Sequence, residues 1–168
     1  MKKLTITLLA MFTFVSLLPV AYAATSEITW SDYEKYRDIH PGNEGRKSFR
    51  EHTFKTFEKH FAKLAERLPA GQLLKINVTD IDLAGDTHFG GINQLRIIKD
   101  IFSPRMNFSY QLVNADGSIV TSGEIVLKDM NFMMGSNLKY RNKSLGYEKK
   151  MLDDWFADTF KELIVKKK

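Results

Sequence analysis

Asp80, Asp82, Asp86 and His88 crowd into one short stretch of the chain. Carboxylates and an imidazole brought together can hold a divalent cation, and such a cluster can activate water for hydrolysis. The competing reading is that Asp80 and Asp82 end a strand and cap the Gly-rich loop after it, because Asp and Gly are ordinary turn residues. Asp80 and Asp82 continue the phase of Leu74, Ile76 and Val78, which is the expected core face. A carboxylate in that phase must be paired or lie near the sheet edge.

Charges also fall on expected apolar faces. Arg46 and Arg50 lie within the stripe of Phe49, Phe54, Phe57 and Phe61, and Glu148 interrupts the stripe of the last helix. A guanidinium there could clamp a carboxylate or phosphate. Buried charges are usually paired, so structural ion pairs are expected for Arg50 and Glu148, with each other or with Asp80 or Asp82. A third feature is Met130, Phe132, Met133 and Met134 in an irregular segment. Thioethers bind Cu(I), but the spacing is loose and Met is a common gap filler in cores. If exposed, the segment is an apolar patch for a partner.

His52 and His60 sit two turns apart on or near the polar side of the first helix, and no histidine pair has the i, i+4 metal spacing. No Ser lies in a G-x-S-x-G setting, and no cofactor fingerprint is legible, so no cofactor is expected. The chain has no Cys, which excludes disulfides, thiolate metal sites and a lipidated N-terminus.

The elements that must position these residues follow from periodicity. Glu27–Trp30 reads as a short strand, and Pro41-Gly42-Asn43 marks a turn. The apolar stripe predicts a helix over 45–68, stopped by Pro69-Ala70-Gly71. Alternation predicts strands near 73–82, 94–102, 106–114 and 119–127, with a hairpin turn at Ala115-Asp116-Gly117-Ser118. A final helix begins after Ser144, and Lys166-Lys167-Lys168 suits its negative end. This order predicts an α+β fold: a mostly antiparallel sheet of about four strands with two long helices packed on one face.

Met1-Lys2-Lys3, an apolar run from Leu4 to Val20, and Ala21-Tyr22-Ala23 have the layout of a secretory signal peptide, cut after Ala23. Residues 24–168 then form one domain. Removal of Lys2 and Lys3 lowers the formal charge from +5 to +3, leaving 23 basic residues against 20 acidic ones. That gives no warrant for nucleic-acid binding, which calls for a concentrated basic stripe. No stable membrane span is expected after cleavage.

Arg46-Lys47-Ser48-Phe49-Arg50-Glu51, Val78–Gly85, Ile98-Lys99-Asp100, Pro104-Arg105-Met106, Leu127–Met130 and Gly146–Phe156 carry a resemblance over nearly the whole expected mature chain. The chain resembles an uncharacterised family of exported bacterial proteins, domain of unknown function three-zero-one-six. The resemblance implies a Gram-negative source and a periplasmic address, and brings no activity and no catalytic residues. The expectation is an exported, non-enzymatic module that binds a periplasmic protein or envelope component. The alternative is a metal-dependent hydrolase built on Asp80, Asp82, Asp86 and His88.

Overall fold

The computed structural model describes residues 23–40, 45–87, 95–134 and 137–165. The apolar N-terminal run, the Pro41-Gly42-Asn43 turn, His88 and the terminal lysines lie outside the described residues. Strand β1 is Thr25–Trp30, helix α1 Arg46–Ala65, β2 Leu73–Asp82, β3 Asp86–Thr87, β4 Arg96–Ile97, β5 Arg105–Val113, β6 Ile119–Lys128, and helix α2 Gly146–Thr159. A 3-10 turn covers Tyr33–Lys35.

The alternation in β2 and β5 drives Leu74, Ile76, Val78, Met106, Phe108, Tyr110 and Leu112 to one face of the sheet. Both helices lay their stripes on that face. Phe57, Phe61 and Leu64 of α1 and Met151, Leu152, Trp155 and Phe156 of α2 enter one continuous core with these strand residues. Trp155 joins the layers through edge-to-face contact with Phe108 at 4.8 Å between ring centroids. The opposite face, with Lys75 and Gln111, is open to solvent, as an antiparallel sheet allows.

The main sheet has four strands in the order β1-β2-β5-β6. Its membership differs from the expected one. The fourth strand is β1, which pairs parallel with β2 from Thr25↔Leu73 to Trp30↔Val78. The stretch expected as a strand at 94–102 supplies only Arg96–Ile97, which pair with Asp86–Thr87 in a separate two-stranded ladder. Its other described residues turn instead: the Phe102 N–H bonds the Lys99 carbonyl, and Asp100 accepts from the Ile101 N–H. The β5–β6 hairpin closes where Gly117 takes a φ of 84°, a conformation natural to glycine.

A β-bulge resolves the oddity of Asp80 and Asp82. The register against β5 slips between Val78 (opposite Phe108) and Asp80 (opposite Asn107). One extra residue reverses the alternation, so Ile81 and Leu83 continue the core while Asp80 and Asp82 turn to the other face.

Candidate functional site

The bulge delivers Asp80 and Asp82 to the rim of the sheet, where basic side chains meet them. Asp80 accepts the Arg37 backbone N–H at 2.8 Å. The Arg37 guanidinium lies 3.9 Å from Asp80 and 3.8 Å from Asp82, and Arg105 faces Asp82 across the β2–β5 ladder. Burial raises the Asp82 carboxyl above its ordinary range and nearby Asp38 adds to this, with Arg37 and Arg105 opposing. Asp86 sits in the short β3 ladder and lines the same cleft of about 310 Å³. There Arg37, Arg105 and Lys128 balance Asp38, Asp82 and Asp86. Among the described residues no three Asp, Glu or His side chains converge as metal ligands would. The cleft is a charge-compensated rim rather than a carboxylate centre.

The tightest polar construction beside it is the guanidinium of Arg96. It grips Asp38 with two hydrogen bonds of 2.8 and 3.0 Å, and donates to the carbonyls of Gly85 at 2.9 Å and His40 at 3.0 Å. The planar fork of Arg suits this bidentate grip, which ties the N-terminal segment to the β2–β3 turn. Gly85 is required there. Its φ is +80°, and a Cβ would lie 2.6 Å from the Ile97 carbonyl oxygen. The same turn is held from within the core by Glu148. Its Oε1 accepts the Ala84 N–H at 2.7 Å, and the side chain is buried. Burial pushes the Glu148 carboxyl up, against the lowering effects of that hydrogen bond and of Arg96.

The expected pairing of Arg50 with Glu148 or with the strand acids is therefore corrected. Arg50 is half-buried and its guanidinium lies over the Tyr33 ring, 4.4 Å from the centroid. Glu148 is occupied by a backbone N–H instead. Both charges do find partners, but an aromatic face and an amide take the places expected for opposite charges.

The methionine segment divides. Phe132 is buried and meets the Tyr147 ring edge-to-face at 4.8 Å. Met130, Met133 and Met134 are exposed, Met134 by 87%. The segment forms one wall of a groove of about 750 Å³, with Leu127 to Asp129 at the end of β6 and the flank of α2 completing it.

One polar cluster has no counterpart in the expectations. His60 is buried, contrary to the polar-side placement, and its Nε2 lies 3.1 Å from Asp153 Oδ1. The two atoms approach closely but are not aligned as a hydrogen bond. The other carboxylate oxygen accepts from the Tyr140 hydroxyl at 2.7 Å and from Lys139 at 2.5 Å. Burial acts to raise the Asp153 carboxyl, but contact with His60, Lys139 and Tyr140 outweighs it and holds the group well below the usual carboxylate range.

The sequence model of a protein family of unknown function, DUF3016, matches residues 24–158. The chain belongs to the DUF3016 family. No curated protein matches it significantly. Among solved structures, a dodecamer of a PelC point variant from Paraburkholderia phytofirmans aligns over 88% of this chain and 88% of its own. The identity is 11% and the TM-score 0.39.

In this DUF3016 chain the sequence offers Arg96, inside an expected strand, as a neutraliser of Asp80, Asp82 and Asp86. The structure gives it Asp38 instead, and nothing local to it signals a carbonyl cage assembled from segments far apart in sequence. His60 was legible: with Phe57, Phe61 and Leu64 it completes the i, i+3, i+4, i+7 spacing of a buried helix face.

Proposed function

We propose that the protein is an exported periplasmic module that acts by binding, docking an extended segment of a partner protein along β6 and into the groove beside it. The observation that carries this reading is the free edge of the sheet. β6 runs for ten residues at the end of the strand order, and no strand pairs with its outer side among the described residues. Such an edge presents a row of backbone donors and acceptors, and monomeric proteins ordinarily blunt it. Here it carries Val126, exposed by 76%, and leads directly into exposed Met130, Met133 and Met134.

β-augmentation uses both features. Backbone bonds to the edge supply affinity, and the groove selects side chains. Flexible thioethers suit a surface that must adapt to its partner. In the groove Lys150 pairs with Asp154, and of the other charged lining residues Asp129 and Asp158 outnumber Lys128. The favoured segment is thus extended, apolar and weakly basic. The export reading rests on the N-terminal layout, supported by the family match beginning at Ala24. No helix among the described residues is long and apolar enough to cross a membrane.

A photo-crosslinking amino acid at Val126 in the full chain, expressed in a Gram-negative host, tests the docking. The expected result is a discrete adduct whose crosslinked peptide is an extended segment of another protein, lost when Met134→Lys is added. Crosslinks only to a second copy of this chain, or none above those of a probe at Lys75 on the open face, would refute it. Fractionation of the same cells tests the address: periplasmic protein starting at Ala24 is expected, and retained Met1 in membranes refutes export.

A further inference from the structure

On the flank of α2 away from the docking groove lies a pocket of about 290 Å³ floored by His60, Tyr140 and Asp153. Six cationic side chains line it: Lys59, Lys63 and Arg67 from α1 and its C-terminal turn, Lys139 and Lys143 from the segment before α2, and Lys149 from α2 itself. They face one carboxylate, Asp153, which only Lys139 bridges. Among the described residues none of the other five has a carboxylate within 4.0 Å.

This concentration is assembled rather than scattered. Lys59, Lys63 and Arg67 recur at i, i+4, i+8 and so share one side of the helix. Like charges at that spacing cost the helix stability. Lys63 and Arg67 also answer the negative end of α1, but Lys59 does not need to. The opposite wall is held in a costly conformation. Leu145 adopts a left-handed φ of 55°, and Gly146 packs so closely on Tyr140 that a Cβ would lie 2.8 Å from the Tyr140 carbonyl oxygen. That arrangement fixes Lys149, whose Nζ donates to the Ser144 carbonyl at 2.7 Å. Burial pushes the Lys149 ammonium down, Glu148 opposes this, and the neighbouring charges of Lys143 and Lys63 lower it further. Repulsion among these ammonium groups is relieved when an anion enters.

We propose that this pocket binds a phosphate-bearing anion, with the lysine ammonium groups around it and Tyr140 and His60 forming its floor. Several negative charges are needed to answer so many cations. Five of the six are lysines, which act as point charges on flexible stems and suit the rotating oxygens of a phosphoryl group. A planar carboxylate would favour an arginine fork. The size matches a phosphate or diphosphate head group, since sites for whole drug-sized ligands begin at roughly 300 Å³. The head group can belong to a free phosphate compound or to an anionic phospholipid.

The test uses protein purified after expression of the full chain. Pyrophosphate titrated at low ionic strength is followed by calorimetry, and vesicles of phosphatidylglycerol or of neutral phosphatidylcholine by co-sedimentation. Expected is pyrophosphate binding weakened about tenfold for each lysine removed in Lys63→Gln/Lys143→Gln, and likewise in Lys59→Gln/Lys149→Gln. Lys35→Gln/Lys75→Gln, away from the pocket, should bind unchanged. Pocket-dependent binding to phosphatidylglycerol vesicles identifies the lipid source; pyrophosphate binding without vesicle binding identifies a free phosphate compound. The proposal is overturned if neither probe binds, if binding survives both pocket variants, if chloride at equal ionic strength reproduces the effect, or if oligoglucuronate binds as tightly as pyrophosphate.

Discussion

Glu148 offers the most discriminating perturbation, because one side chain is a buried acid and also the acceptor for a buried backbone N–H. Two neutral replacements separate these roles. Glu148→Gln keeps an oxygen where Oε1 receives the Ala84 N–H at 2.7 Å. Glu148→Leu fills similar space without an acceptor. Ala84 is only 3% exposed, so water does not take over the bond. Stranding a buried donor costs about 1–3 kcal/mol. Leu should therefore lie below Gln by that amount, and because neither titrates, the gap should not depend on pH.

The comparison of Gln with the natural acid should depend on pH, with a definite sign. Folding raises the carboxyl above its ordinary value of 4.5, burial being the main cause. The protonated form is thus favoured in the folded state. The contribution of Glu148 is fully present below the unfolded value and is lost as pH rises through the raised folded value. Each unit of upward shift removes about 1.4 kcal/mol by the time ionisation is complete. Urea unfolding between about pH 4 and about pH 8 should show Gln gaining on the natural protein and then levelling off. A flat or reversed difference would refute the raised carboxyl. Equal stability of Gln and Leu would refute the hydrogen bond as the function of residue 148.

Arg96→Met leaves the Asp38 carboxylate and two carbonyls without their donor, and urea melts should show a loss of about 3–5 kcal/mol, partly recovered by adding Asp38→Asn. Arg96→Lys should not restore the loss, since an ammonium cannot reproduce the fork. Gly85→Ala should cost about 1–3 kcal/mol or more in thermal unfolding, because it forces a Cβ against the Ile97 carbonyl at positive φ. A double-mutant cycle on Arg50→Met and Glu148→Gln should give a coupling under about 0.5 kcal/mol, since Tyr33 and the Ala84 N–H are their separate partners. A larger coupling would restore the direct ion pair.

Periodicity carried most of the fold into view. The helix stripes, the alternation in β2, β5 and β6 and the Gly117 turn are local patterns, and the structure has those elements where the patterns lie. What failed was non-local. β1 joins by parallel pairing with β2 across a long connection, and nothing within Thr25–Trp30 specifies that neighbour. The 94–102 stretch has strand-like residues, but only Arg96 and Ile97 pair, and the chain turns at Lys99–Phe102 while the Arg96 side chain enters a cage of carbonyls and Asp38. The bulge after Val78 is a third case. Read as uninterrupted alternation, Asp80 and Asp82 were buried acids that demanded partners or a function. One inserted residue places them on the rim beside Arg37 and removes the demand.

The two candidate binding surfaces are separated by one element, and helical geometry explains how. Along α2, Glu148, Leu152, Trp155 and Phe156 face the core. Lys149 and Asp153, four residues apart, reach the basic pocket on one flank. Lys150, Asp154 and Asp158, again at four-residue spacing, line the groove on the other. Steps of about 100° per residue put these rows on opposite sides of the buried stripe. Neither row shares a side chain with the other, so substitutions in the pocket lysines should leave docking at β6 intact, and Met134→Lys should leave pyrophosphate binding intact. Loss of both together would point to coupling through the body of α2, and Glu148, which fixes that helix to the Ala84 turn, would be its first candidate.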